Sequence, residues 1–279
     1  MSDANQDRDV TPLIPREGWH VMHLFYHVDH GQWSMLPEDL RRAAKTQLAE
    51  LVQEIRATGD TQLLTFAVAS PKADLGLMLI TPDLQQANAF EKQLTLSLGP
   101  DVLTPTFSYL SQTERSEYMT SREQYAADTL IGERKLTKGS ADFEDALREF
   151  DERMEHYLKH RLYPVLPDWP AICFYPMSKR RMGDDNWYSL DFETRRKLMG
   201  GHARTGREYA GRILQLITGS TGLDEHEWGV TLLAKDTIDI KSIVYEMRFD
   251  EVSARYGEFG EFFIGMQLPL DELFRRLCL

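Results

Sequence analysis

The stretch WHVMHLFYHV (residues 19–28) and the segments that follow it decide the predicted fold. This run mixes apolar, aromatic and β-branched residues and is followed by the letters DHG, as expected for a strand that leads into a turn. After it, apolar residues recur at spacings of three and four between Pro37 and Gly59. That spacing predicts an amphipathic helix that begins at the proline and ends at the glycine.

The segments beyond this helix complete a recognisable order of elements. Residues 63–69 and 75–80 are predicted as a pair of strands, residues 82–98 as a second helix and residues 102–110 as a further strand. The order strand, helix, strand, strand, helix, strand is that of a ferredoxin-like unit, an antiparallel sheet with helices on one face. The uncovered face of such a sheet needs a packing partner.

A second unit of the same order is predicted from residue 171 onwards. We expect a strand at 171–177, a helical stretch at 189–217, strands at 227–234 and 241–248, a short helix at 250–256 and a strand at 259–267. The predicted fold is therefore α+β, with two ferredoxin-like (βαββαβ) domains packed sheet to sheet. We expect a polar tail at 1–16, an N-terminal domain at 17–160 that includes a helical or extended connection at 116–160, and a C-terminal domain at 161–279.

Composition excludes several classes of protein. The 279 residues carry a formal net charge of −12, which disfavours nucleic acid or an anionic membrane surface as a partner. No apolar run approaches the roughly 20 residues that cross a bilayer, and the charged start lacks a signal-peptide apolar region. Cys173 and Cys278 are far apart and indicate neither a disulfide framework nor a zinc site. A soluble cytoplasmic protein is expected.

The most informative stretch for chemistry is YPMSKRR (residues 175–181), where an apolar strand turns abruptly basic. Strand alternation places Tyr175, Met177 and Lys179 on one face. An oxidisable phenol, a thioether and a cation on one face suit an oxidative pocket for an acidic molecule. The alternative is a core tyrosine at the end of a solvated basic strand.

A histidine in the next segment is a candidate iron ligand. His202 falls in an apolar stripe at helical spacing, formed with Leu198, Tyr209, Ile213 and Leu216. Small residues surround it and would let a flat macrocycle approach the backbone; they are Gly200, Gly201, Ala203 and Gly206. The alternative is an ordinary core histidine.

Two other histidines have the spacing of a metal-binding pair. His156 and His160 are four residues apart in a charged segment predicted to be helical. No third ligand is visible in the sequence, so a solvated helix face is the simpler interpretation.

Several runs, taken in order, resemble the coproheme decarboxylase (HemQ-type) branch of the chlorite dismutase family. They are residues 175–181, 186–188, 201–202, 206–207, 215–224, 227–232, 241–256 and 258–260. The likeness is strong over most of residues 161–265 and loose over residues 17–110. It implies a chlorite dismutase-like dimeric α+β barrel and a homopentamer, with an iron porphyrin held in each C-terminal half.

The resemblance also implies an activity. Hydrogen peroxide would drive oxidative decarboxylation of two propionates of iron coproporphyrin III, which is both substrate and redox centre, to give haem b. A transient contact with the preceding ferrochelatase is a further implied partner. The alternatives are a chlorite dismutase or general haem peroxidase, or a haem-binding or haem-delivering protein without turnover.

Individual roles follow from the same resemblance, residue by residue. His202 corresponds to the axial iron ligand, and Tyr175 to the radical-bearing residue at the family's separation from it. Met177 and Lys179 correspond to residues beside the reacting propionate. Other propionates are assigned to Arg161 and Ser253, and the distal side to Gln215.

Gln215 carries two separate expectations. Chlorite dismutases have an arginine where this glutamine stands, and a neutral amide is a poor partner for a leaving hypochlorite, which disfavours chlorite as substrate. A continuous helix at 189–217 would also put Gln215 roughly 20 Å from His202. A helix break near Gly200, Gly201 or Gly206 is needed to bring the two residues to one site.

Overall fold

The computed structural model describes residues 11–279. The N-terminal half contains, in chain order, β1 (His20–Val28), α1 (His30–Met35), α2 (Glu38–Ala57), β2 (Gln62–Val68), β3 (Leu75–Thr81), α3 (Leu84–Leu96) and β4 (Leu103–Thr113). A connecting segment follows, with α4 (Arg122–Gln124), a π-helical stretch (Tyr125–Glu133) and α5 (Ala141–Leu162). Of the predicted polar tail at 1–16, residues 1–10 lie outside the described residues.

The C-terminal half repeats the element order of the first. It contains β5 (Ala171–Lys179), α6 (Phe192–Glu208), β6 (Ile213–Gly219), β7 (Trp228–Ala234), α7 (Thr237–Met247), α8 (Glu251–Tyr256), β8 (Gly257–Phe259), β9 (Phe263–Gln267) and α9 (Leu270–Arg276). No helix in residues 11–279 is long and apolar enough to cross a membrane.

The strands of both halves join into one closed antiparallel sheet. Its order is β7-β6-β4-β1-β3-β2-β9-β5-β8, and β7 also pairs with β5, so the sheet curls into a barrel. Within the barrel the inner faces of the two halves meet through stacked aromatic rings, with Phe25 and Phe263 at a centroid distance of 4.0 Å. Burying each such side chain stabilises the fold by about 1.5–3 kcal/mol. The predicted α+β fold with two ferredoxin-like units packed sheet to sheet is confirmed.

Helices cover the other face of each half of the sheet. In the N-terminal half, α2 and α3 bury Leu48, Val52, Phe90 and Leu94 against the strands. In the C-terminal half, the covered face carries side chains of β5, β6 and β7 that pack against α7. We call this surface of the sheet the outer face; it includes Cys173, Tyr175, Ile213, Val230 and Leu232, and α7 covers it with Ile240 and Ile243.

Two predicted elements of the C-terminal half are wrong. The helical stretch predicted at 189–217 ends at Glu208, because the chain turns at Gly211, whose φ of +81° favours glycine, and continues as β6. The strand predicted at 241–248 lies largely inside α7, which is capped by the Asp236 carboxylate accepting from the backbone N–H of Ile238. The β-branched run in this helix resembles a strand locally, but its buried residues are spaced as on a helix.

Candidate functional site

Strand β5 carries three of the predicted site residues. Tyr175 is buried on the outer face, whereas its neighbour Phe174 is buried inside the barrel, so the alternation predicted for this strand is present. Met177 is half-buried against the same outer-face cluster. Lys179 ends the strand and is also buried.

The ring of Tyr175 is held by aromatic contacts. It stacks on Phe262 at 4.2 Å between centroids and leans on Phe259 at 6.0 Å. Burial raises the pKa of the Tyr175 phenol above its usual value. The hydroxyl therefore keeps its proton at neutral pH and is available as a hydrogen donor.

Lys179 is a buried cation beside an aromatic ring and two carboxylates. Its Nζ lies 4.9 Å from the ring centroid of Trp187, at cation–π distance. Burial lowers the pKa of Lys179 to about 8, a shift that the carboxylates of Asp250 and Glu227 oppose. At pH 7 the group is mostly charged and suited to an anionic ligand.

His202 on α6 is oriented by a carboxylate. Its Nδ1 hydrogen-bonds Oδ2 of Asp250 at 2.9 Å, which leaves Nε2 for a ligand such as iron. Asp250 itself caps α8, where its Oδ1 accepts from the Ser253 backbone N–H at 2.9 Å. Burial disfavours ionisation of Asp250, but the donors from His202 and Ser253 outweigh it and hold the pKa of Asp250 below its usual value.

Asp250 was not among the site residues predicted from the sequence. The available signal, an aspartate three residues before Ser253, indicates a helix cap and says nothing about His202. Glu227 was missed as a site residue in the same way. It is buried, and its Oε2 accepts the backbone N–H of Lys179 at 2.7 Å.

Gln215 lies on β6 and faces α6. Its Nε2 donates to the backbone carbonyl of Gly206 at 2.8 Å, one helical turn beyond His202. A Cβ at Gly206 would come within 3.3 Å of the Gln215 amide, so glycine fits this close approach. The break expected near Gly200, Gly201 or Gly206 is wrong, because α6 runs through all three glycines to Glu208. The chain reverses at Gly211 instead, and this reversal brings Gln215 back to α6 in place of the separation of roughly 20 Å expected for a continuous helix.

Arg161 and Gln215 line a cavity of about 210 Å³ between the end of α5 and β6. The Nε of Arg161 donates to the backbone carbonyl of Glu114 at 2.8 Å, which fixes the guanidinium at the cavity wall. The volume is below the roughly 300–1,000 Å³ of pockets that enclose whole cofactor-sized ligands. It suits one edge of such a ligand.

Not all predicted site residues converge equally. Lys179, His202 and Ser253 are grouped around Asp250, whereas Arg161 and Gln215 meet at the cavity. The hydroxyl of Ser253 donates to Oδ2 of Asp250 at 3.2 Å.

His156 and His160 are in ring contact at 4.3 Å between centroids. Residues 11–279 contain no group of three or more His, Cys, Asp or Glu able to hold a metal ion.

Comparison with known proteins assigns a family. The family model described as chlorite dismutase matches residues 41–268. A solved structure described as a novel heme-binding protein from Thermus thermophilus is 37% identical, over 98% of this chain and 100% of that chain, with a TM-score of 0.78. A double mutant of chlorite dismutase from Candidatus Nitrospira defluvii is 19% identical, over 95% of this chain and 98% of its own, with a TM-score of 0.70.

The two structures support different statements. The match to the Nitrospira enzyme is too low in identity to show more than a common fold. The family follows from the length of the family match and from the 37% identity to the Thermus protein over nearly the whole chain. This chain belongs to the chlorite dismutase family.

Proposed function

We propose that this chain is a peroxide-dependent coproheme decarboxylase, which converts two propionates of iron coproporphyrin III to vinyl groups and yields haem b. One observation carries the proposal. His202, whose ring is oriented by Asp250, lies near the buried Lys179. Lys179 ends strand β5, which also carries the buried and protonated Tyr175. Membership of the chlorite dismutase family and the heme-binding Thermus relative support an iron porphyrin as the ligand.

His202 is the proposed axial ligand. Its Nδ1 is engaged by Asp250, so Nε2 would be the atom that binds iron, as an electron-rich donor. Gly206, which has no side chain, and the polar amide of Gln215 meet where α6 packs on β6, and the macrocycle would lie against this part of α6. A glycine that permits close approach and a polar amide fit an iron porphyrin.

Arg161 and Lys179 are the proposed partners of propionate groups. Four carboxylates make the substrate strongly anionic, and a protein of net charge −12 needs local cations to bind it. The guanidinium of Arg161 offers a forked pair of donors, and Lys179 a compact ammonium that gains from a carboxylate partner in a buried position. Met177 and Ser253 are proposed to contact the same substrate.

Tyr175 is the proposed hydrogen-atom donor and acceptor. Bound iron and peroxide supply the oxidising power, and the protein supplies a phenol O–H within the pocket. The oxidised tyrosine would take a hydrogen atom from a propionate carbon. Carbon dioxide would then leave with formation of the vinyl group, and the one electron released in that step would pass to the oxidant that bound iron and peroxide supply. Each propionate consumes one peroxide and one proton and releases one carbon dioxide and two waters, and Lys179 is a suitable proton source.

The test is a reaction of the purified chain with iron coproporphyrin III and hydrogen peroxide, followed by mass spectrometry of the pigment. Two successive losses of carbon dioxide plus hydrogen are expected, ending at haem b. Intact pigment after peroxide consumption would contradict the proposal and indicate a carrier or a general peroxidase instead.

A further inference from the structure

The cavity between α5 and β6 has a lining chemistry that suits an anion. Its polar side chains can all donate hydrogen bonds; they are Tyr157, His160, Arg161 and Gln215. The rest of the lining is apolar, from Pro164, Val165, Leu214, Leu216 and Ile217. No aspartate or glutamate lines the cavity, although acidic residues outnumber basic ones 44 to 32 in the chain.

Three of these donors, Tyr157, His160 and Arg161, lie in the last turns of helix α5. His160 follows Tyr157 by three residues, so both lie on one side of the helix, and Arg161 comes next in sequence. Arg161 is held in place because its Nε donates to the backbone carbonyl of Glu114. Within the described part of the chain, neither His160 nor Arg161 forms a direct salt bridge, and the carboxylate of Glu114 acts on Arg161 only at longer range.

We propose that His160 is a second carboxylate-binding residue, which acts beside Arg161 on a propionate at the solvent edge of the porphyrin. The inference rests on the proposed function for the identity of the ligand. Its geometric basis is the cavity, which is too small for a macrocycle but has space for a carboxylate arm between α5 and Gln215. An imidazole donor there adds a contact that depends on the carboxylate and not on the iron.

The experiment is an equilibrium titration of the full chain with iron coproporphyrin III, followed by Soret absorbance. His160→Ala should bind about tenfold more weakly than the unsubstituted chain, the effect of one hydrogen bond to a charged group at a solvent-open site. The tetramethyl ester of the same iron porphyrin has no carboxylates. The unsubstituted chain and His160→Ala should bind this ester equally.

His156→Ala is the matched control, since the His156 ring contacts His160 at 4.3 Å but does not line the cavity, so this variant tests whether loss of the contact alone lowers affinity. It should bind both porphyrins like the unsubstituted chain, and His160→Gln should recover part of the loss because it keeps a donor. Unchanged affinity of His160→Ala for the acid, or an equal loss for acid and ester, overturns the inference alone. Failure of the unsubstituted chain to bind the acid overturns the proposed function as well.

Discussion

Tyr175 combines a rigidly packed ring with a hydroxyl that keeps its proton. Its stacking on Phe262 fixes the direction of the phenol, and burial raises its pKa. Hydrogen abstraction needs the reacting atoms within about 3–3.5 Å, so a fixed direction matters more than the mere presence of a tyrosine. Tyr188, which is half exposed, and Tyr209, on another element, lack this placement.

Tyr175→Phe should separate binding from chemistry. The ring and its packing remain, so the fold and the affinity for iron coproporphyrin III should be nearly unchanged. Loss of the O–H should reduce formation of haem b by at least about a hundredfold, measured by chromatography after peroxide titration. Near-normal haem b from this variant would refute the assigned role of Tyr175. Lys179→Ala serves as a comparison and should stop at incomplete product, because it removes a cation and leaves the oxidisable group.

Asp250→Asn should weaken the electronic effect of the carboxylate on His202. Asparagine is as good a helix cap as aspartate, so stability should change by less than about 1 kcal/mol. A neutral amide accepts more weakly from Nδ1, and the iron–histidine stretch of the ferrous porphyrin complex should move to lower frequency in resonance Raman spectra.

Asp236→Asn is the control for this variant, because Asp236 caps α7 in the same way but has no histidine partner. It should leave the iron–histidine stretch unchanged.

His202→Ala should lose the histidine-ligated spectrum entirely. An unchanged spectrum in His202→Ala would move the ligand to another residue, with His156 or His160 the next to be substituted.

The amino-acid sequence indicated which side chains belong to the candidate site but not which residues they contact. The YPMSKRR run predicted Tyr175 and Met177 on one face of β5, and both lie in the outer-face cluster, whereas Phe174 lies inside the barrel. The partner of His202 is 48 residues away in sequence, and no local pattern marks such a pair. The role of Glu227 was not predicted either, because its hydrogen bond to the backbone N–H of Lys179 leaves no signature in the sequence.

Helix α6 buries fewer residues than the other helices of the candidate site. Gly206 is its one buried residue, whereas α2 buries Leu48, Val52 and Ile55. Few buried apolar contacts imply a low free energy of local opening. The bond from Gln215 to Gly206 joins α6 to β6.

Amide hydrogen exchange should reveal this difference between the helices. In the ligand-free chain, backbone amides of α6 should exchange faster than those of α2, and Gln215→Ala should accelerate α6 further. Binding of iron coproporphyrin III should slow exchange in α6 and leave α2 unchanged, because only α6 gains contacts to the ligand. Equal protection of both helices before and after binding would contradict an α6 that opens.

The two wrong elements show where local pattern reading fails. Ile213 and Leu216 fit a helical stripe by spacing, yet they pack on opposite faces of β6, in the outer-face and interior cores. Residues of α7 have high strand propensity, but Asp236 caps them as a helix. The element order agrees with the prediction because the two errors compensate: β6 was missed inside the predicted helix, and a strand was predicted where α7 lies.

On the scale of the whole molecule, closure of the barrel depends on pairings distant in sequence. Short ladders join the halves, with Gln112 and Thr113 of β4 against β6 and residues of β2 against β9. The prediction of two sheets packed face to face followed from the uncovered apolar faces of each unit. Which edges meet could not be predicted, since one residue of register shift changes the face of every side chain.

The same architecture supports chlorite chemistry in other members of the family, so the substrate is decided by side chains within a shared fold. Haem-loaded protein should release negligible oxygen from chlorite, because the Gln215 amide has no charge with which to hold a chlorine oxyanion. A Clark-type oxygen electrode measures this directly, and Gln215→Arg is the matched variant. The added cation should raise oxygen release if the missing charge is the reason for inactivity. Sustained oxygen evolution by the unsubstituted chain would contradict the decarboxylase assignment and favour a chlorite dismutase.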